Sequence, residues 1–180
     1  MEPPAGVVVA TVIAQPVTAG PQPDRLCYVQ VSAGESYTYL LRSDGKVDRS
    51  SGKGKVSHRL APDEWPKVTY TNAASGFSAS YMIRSDGLLD RYTSATKCDL
   101  IRCPDGARYV AASCSDTQAY VLRDDGVVDR FRSRTDIIPM PCPDGAKYVA
   151  VSAGINASYL IRDDGKIDRT QGSGKVSKVV

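Results

Sequence analysis

The chain has 180 residues, and its 23 Lys and Arg against 20 Asp and Glu leave a net charge of +3, too small for a nucleic-acid footprint built on bulk charge. Apolar residues make up 42% and charged residues 24%, which argues against both a disordered tail and a membrane span. Aspartate outnumbers glutamate 17 to 3, and with 15 Gly and 11 Pro the balance favours turns and strands over helices.

In chain order, Met1-Glu2-Pro3-Pro4 carries no basic residue ahead of the apolar stretch from Gly6 to Ala14, which argues against a secretory leader. Four units follow. Each opens on a Pro-Asp turn (Pro23-Asp24, Pro62-Asp63, Pro104-Asp105, Pro143-Asp144) and continues into a run headed by Tyr28, Tyr70, Tyr109 or Tyr148. A second run begins at Tyr39, Tyr81, Tyr120 or Tyr159 and leads to an Asp-Gly pair ending at Gly45, Gly87, Gly126 or Gly165. The steps between these glycines are 42, 39 and 39 residues. A period near this length, read as four short strands per unit, is the signature of propeller blades. The first two strands are the two tyrosine-headed runs, the third ends on an Asp-Arg pair, and the fourth is the stretch around Val56 or Ile137. The expected fold is all-β, an array of four-stranded blades with units at 23–61, 62–103, 104–142 and 143–180.

Residues 1–22 read as half a unit, since a slide of 120 residues lays Gly6-Val7-Val8 on Gly126-Val127-Val128. Such a segment is an edge or closure strand pair whose unpaired backbone needs a partner, inside the array or on another chain.

The repeat resembles that of the regulator-of-chromosome-condensation β-propeller family. Val149 to Gly154, Leu160-Ile161, Asp164-Gly165 and Ile167 carry the likeness, with equivalents in the other units. The family's histidine position holds Tyr37, Ala79, Gln118 and Ala157, and its Trp-Gly position holds Ser50-Ser51, Tyr92-Thr93, Phe131-Arg132 and Thr170-Gln171. Family members usually close seven blades, more than this length supplies. The resemblance implies the fold type. Guanine-nucleotide exchange by family analogy ranks third among the functional readings.

Every unit repeats an arginine before the turn and an aspartate after it: Arg42 and Asp48, Arg84 and Asp90, Arg123 and Asp129, Arg162 and Asp168. If Asp44 and Gly45 form a two-residue turn, Leu41 faces Asp48 and Arg42 faces Val47. Arginine and aspartate then lie on opposite faces, and the expectation is ion pairs between neighbouring blades. A charged channel is the competing reading.

Among aromatics outside the repeating positions, Tyr37, Trp65 and Phe77 fall on loops or insertions and are the candidate partner-binding residues, because aromatics dominate binding hot spots. Tyr92 and Phe131 read as packing. The odd set of five cysteines has no CxxC spacing and reads as reduced thiols, with Cys103, Cys114 and Cys142 as small packed residues. His58 is the single histidine and reads as a surface residue. No catalytic, cofactor or metal constellation emerges.

The leading reading is an intracellular, cytoplasmic, non-enzymatic interaction module, with nucleus and organelle left open. It would bind a protein partner or a second copy of itself through loops that differ between units, such as 35–38 and 77–79. The alternative is a carbohydrate-binding propeller lectin, which would need a matching polar and aromatic pair in each unit. No nucleic-acid partner is favoured.

Overall fold

A computed structural model describes residues 11–12, 26–51, 54–116, 118–171 and 176–178. Strand β1 (Thr11–Val12) precedes blade 1, which is built from β2 (Tyr28–Ala33), β3 (Tyr37–Arg42), β4 (Val47–Ser51) and β5 (Val56–Leu60). Blade 2 holds β6 (Tyr70–Ala74), β7 (Ser80–Arg84), β8 (Leu89–Tyr92) and β9 (Cys98–Ile101). Blade 3 holds β10 (Tyr109–Cys114), β11 (Ala119–Arg123), β12 (Val128–Phe131) and β13 (Ile137–Met140). Blade 4 holds β14 (Tyr148–Ser152), β15 (Ser158–Arg162), β16 (Ile167–Thr170) and β17 (Val176–Lys178). Each blade is an antiparallel meander in chain order. The fold is all-β and propeller-like. Among the described residues no helix is long and apolar enough to cross a membrane.

Of the expected half unit at 1–22, only Thr11 and Val12 fall within the described residues. They pair with Ser32 and Val31 as a fifth strand on the first sheet.

The hairpin turns differ from expectation by one residue. Leu41 stands opposite Val47, and Leu40 opposite Asp48. The Gly45 N–H donates to the Arg42 carbonyl at 3.0 Å and the Arg42 N–H to the Lys46 carbonyl at 2.9 Å. Ser43 and Asp44 are therefore the central turn residues, and Gly45 (φ 76) is the left-handed residue that completes a longer hairpin loop. A one-residue slip exchanges the faces of a strand. Arg42 and Asp48 consequently share a face, together with Tyr28, which stands opposite Arg42.

The expected inter-blade ion pairs are corrected accordingly. Arg42–Asp48, Arg84–Asp90 and Arg123–Asp129 each lie at 3.8 Å, and Arg162–Asp168 at 3.9 Å, all inside one blade. Among the described residues, the ion pair that crosses between blades lies outside that series: Arg134 reaches Asp99 at 3.3 Å.

Every blade thus has a charged face, carrying the first tyrosine, the arginine and the aspartate, and an apolar face, carrying the second tyrosine and its aliphatic neighbours. The charged face of each blade packs on the apolar face of the blade before it. Tyr70, Ala73, Met82 and Tyr92 meet Tyr39, Leu41, Val47 and Leu60. Tyr109, Ala112, Val121 and Phe131 meet Tyr81, Ile83, Leu89 and Ile101. Tyr148, Ala153 and Leu160 meet Tyr120, Leu122, Val128 and Met140. Tyr92 and Phe131 are buried in this packing, as their repeat position implied.

Polar ties set the spacing. The Gly45, Gly87 and Gly126 carbonyls accept the N–H groups of Tyr70, Tyr109 and Tyr148 at 2.8, 2.9 and 2.9 Å. A Cβ added to Gly126 would come within 2.4 Å of the Lys147 Cβ, whereas one added to Gly106 meets nothing within 4 Å. Both glycines have positive φ, so left-handed strain is common to the two sites and the close inter-blade approach belongs to Gly126. Gly106→Ala should cost about 1–2 kcal/mol of left-handed strain. Gly126→Ala should cost about 1–3 kcal/mol beyond that from overpacking. Urea unfolding of the two variants checks the difference; equal losses would mean that the blades are not held at this distance.

Candidate functional site

Two of the three candidate aromatics come together. Tyr37 opens β3 in blade 1, and Phe77 lies on the loop from Gly76 to Ala79 that joins β6 to β7 in blade 2. They line one cleft at the loop end of the first inter-blade seam, with Arg49, Ser80 and Tyr92 beneath them. Phe77 is 60% exposed and Tyr37 39% exposed, although both are large apolar rings. The repeat places them there: the two residues lie about one period apart, so they occupy similar heights on adjacent blades.

Arg49 shapes the cleft floor. It stands on β4 opposite Tyr39, and its guanidinium carbon lies 3.3 Å from the centroid of the Tyr37 ring. A cation at that distance is attracted to the ring face and holds Tyr37 in one orientation. Arg49 is buried, and its Nε has no hydrogen-bond partner among the described residues. The cleft therefore offers two exposed rings over an inward guanidinium with one donor, the Nε–H, left unpaired. Its volume is only about 40 Å³. That fits a protruding side chain and falls far below the several hundred Å³ of a small-molecule site.

Trp65 stands elsewhere. It lies on the connection between β5 and β6, at the opposite end of the blades, where its indole N–H donates to the Asp44 carbonyl at 3.2 Å. The Lys46 ammonium sits 3.5 Å from its ring centroid. Trp65 thus braces the first hairpin turn.

The repeating arginines and aspartates form a second polar feature in each blade. The tyrosine hydroxyl of β2, β6, β10 and β14 donates to the aspartate twenty residues on: Tyr28 to Asp48 at 2.9 Å, Tyr70 to Asp90 at 2.7 Å, and Tyr109 to Asp129 and Tyr148 to Asp168 at 3.0 Å. The arginine also grips the turn aspartate two residues on, as with Arg84 and Asp86 at 2.7 Å. Among the described residues these arginines and aspartates are thus paired within their own blades.

The carboxyls differ in tuning. Burial pushes Asp90 and Asp129 above the ordinary carboxylate value, and the tyrosine hydroxyl and arginine only partly offset it. Burial also acts upward on Asp48, but hydrogen bonds from Arg59 and Tyr28, with the charges of Arg59 and Arg42, outweigh it and hold that carboxyl low. Arg59 has no counterpart at Asp90 or Asp129, which explains the contrast.

All five cysteines are free thiols. Burial pushes Cys98 up to about 11 and Cys103 up to about 12, so neither supplies a thiolate nucleophile at neutral pH. His58 is exposed on β5, on the outer strand of blade 1.

The raised Asp129 carboxyl has a pH consequence. Between the ordinary value of 3.8 and the raised one, the folded chain keeps a proton that the unfolded chain has released, so this group's contribution to stability falls as pH rises through that window. Asp129→Asn keeps an oxygen for Tyr109 and cannot titrate, and should remove that share of the decline in urea midpoints across the acid range. Asp129→Ala should cost about 1–3 kcal/mol more, since it strands the Tyr109 hydroxyl. An asparagine variant with the unaltered pH slope would contradict the assignment.

No protein-family model matches the chain, and none of the curated proteins is similar to it in sequence. Solved structures do match in fold. Human WBSCR16 superposes with a TM-score of 0.67 at 14% identity, over 85% of this chain and 53% of that one. Yeast RCC1 (Prp20), solved with Kap60 bound, gives 0.61 at 14% identity, over 84% and 45%. Virginiamycin B lyase from Staphylococcus aureus gives 0.61 at 14% identity, over 99% and 57%. The chain resembles the RCC1-type β-propellers in fold, and it spans about half the length of these relatives.

Proposed function

We propose that the chain is an intracellular, non-enzymatic interaction module that binds a protein partner through the loop-end cleft between blades 1 and 2. Its scaffold is the set of four tandem units, 23–61, 62–103, 104–142 and 143–180. The observation that carries the reading is the convergence of Tyr37 and Phe77, exposed and from different blades, over the oriented guanidinium of Arg49. Exposed aromatics around a partly desolvated arginine are the composition of a binding hot spot. The blade faces at the three internal seams are occupied with their own packing, and loops on such a scaffold commonly carry recognition. The yeast propeller of similar fold is bound to Kap60, a protein partner of the class proposed here.

The test is affinity purification from the native cell, followed by titration of the captured partner. Phe77→Ser combined with Tyr37→Ser should weaken binding about thirtyfold, the effect of losing about 2 kcal/mol. Trp65→Ser, at the opposite end, should leave it unchanged. A partner lost with Trp65 and retained with the double variant would move the binding surface to the turn end. Glycan-array binding that depends on Tyr37 and Phe77 would replace the protein partner with a sugar.

A further inference from the structure

The two ends of the array are unlike each other and complementary. Among the described residues, no blade covers the charged face of blade 1: Tyr28 is 54% exposed, whereas its equivalents Tyr70, Tyr109 and Tyr148 are 2% exposed or less. Val31 on the same face is exposed, whereas its equivalents Ala73 and Ala112 are buried. Among the described residues, none covers the apolar face of blade 4. Tyr159 and Ile161 are 45% and 43% exposed, while the matching tyrosines and aliphatics of blades 1 to 3 are 5% exposed or less.

The turn glycines tell the same story. An added Cβ would approach the next blade within 2.7 Å or less at Gly45, Gly87 and Gly126, where it meets Thr69, Arg108 and Lys147. At Gly165 it meets nothing within 4 Å, although φ is +82 there as at the others. Each of the first three glycine carbonyls accepts the N–H of the next blade's leading tyrosine. In the same pattern, the group that would follow Gly165 is the N–H of a Tyr28. Arrays of repeats normally carry a polar outer face on their terminal units. Tyr159 and Ile161 instead keep the identities that are buried in every other blade.

We propose that a second copy of this chain covers these faces, head to tail: blade 4 of one copy packs on blade 1 of the other, repeating between molecules the joint made three times within each. The charges permit it. Arg42 and Asp48 are already paired inside blade 1, as are their equivalents at the buried seams, so the joint strands neither of them. Arg169 on the incoming face takes the place that Arg49 and Arg130 hold, buried, on the same face of blades 1 and 3. A head-to-tail joint gives a closed ring when the rotation closes. Two copies related by a two-fold axis make that joint twice and supply eight blades, within the roughly 4–8 that propellers close. The inference rests on the interaction-module reading only in taking the chain to be built for association, and the loop-end cleft is not part of this interface.

Native mass spectrometry and analytical ultracentrifugation of the full chain test it. The expected species has twice the mass of the 19.3 kDa chain. Val31→Glu blocks the blade 1 face and Ile161→Glu the blade 4 face, and each variant alone should be monomeric with circular dichroism unchanged. Mixing the two should restore a two-copy species, because Ile161→Glu still offers an intact blade 1 and Val31→Glu an intact blade 4. If either glutamate perturbs folding, Tyr28→Lys and Tyr159→Lys replace the pair. A wild-type monomer at all concentrations would overturn the proposal, as would a dimer indifferent to these substitutions or a mixture that does not recombine. Tyr37 and Phe77 are untouched in every variant, so partner capture through the cleft is read separately.

Discussion

One contact sets the geometry of the array: the left-handed turn glycine of one blade pressed against the residue that precedes the leading tyrosine of the next. At Gly87 that neighbour is Arg108, whose side chain also donates to the Ser85 carbonyl at 2.7 Å. The glycine carbonyl holds the Tyr109 N–H, and the far end of the same tyrosine donates to Asp129 of its own blade. The tyrosine is therefore fixed at both ends, by the preceding blade at its backbone and by its own at its hydroxyl. Blade spacing, ring position and aspartate position follow together. A side chain at the glycine would break the first link and loosen the rest.

The charged residues make this stacking cheap by being neutral in groups. Arg123 faces Asp125 and Asp129, and Arg162 faces Asp164 and Asp168, so these two buried guanidiniums find their countercharges within one blade. A buried cation whose partners belonged to the next blade would leave an uncompensated charge at every open end. Pairing inside the hairpin avoids that. It also explains why an exposed terminal face can carry the same residues as an internal one, because Arg42 and Asp48 need nothing from outside. The turn aspartates Asp86 and Asp125 end up low in pKa: burial acts upward on both, and the arginine and the main-chain N–H two residues on outweigh it.

The repeat spacing, the strand order and the all-β class were legible in the sequence because four units share one hydrophobic and turn pattern. The hairpin register was not, since an Asp-Gly pair suits both a two-residue turn and a longer loop ending in a left-handed glycine. The signal that separates them lies one residue earlier. Ser43, Ser85, Asp124 and Asp163 each accept, through a side-chain oxygen, the N–H of Cys27, Thr69, Arg108 or Lys147 sixteen residues back. A small acceptor held at that position in every unit marks a turn that begins before the Asp-Gly pair. The candidate site was half legible. Tyr37 and Phe77 stand about one period apart and so meet across a seam, whereas Trp65 falls off that period and points its indole at the other end of the blades. Arg49 was not singled out because its equivalents recur as framework: Arg91 donates to Tyr81 and to Asp99, whereas in blade 1 the guanidinium lies against the ring of Tyr37.

Faces and ends divide the work of this chain. Strand side chains alternate between the two faces of a blade, and both faces are used for stacking, so a blade has no lateral surface left for recognition without giving up a neighbour. The glycine-turn ties all lie at one end of the blades. At the loop end the Ser75 hydroxyl ties blade 2 to the Tyr37 carbonyl at 3.1 Å and still leaves the rings of Tyr37 and Phe77 exposed. The cleft under Tyr37 and Phe77 sits at the end away from those turns, and its floor at Arg49 is set within blade 1. Covering Tyr28 on one side of the array and Ile161 on the other therefore leaves the cleft open. Association through the faces and recognition at the loop end can proceed on the same molecule without competing for residues.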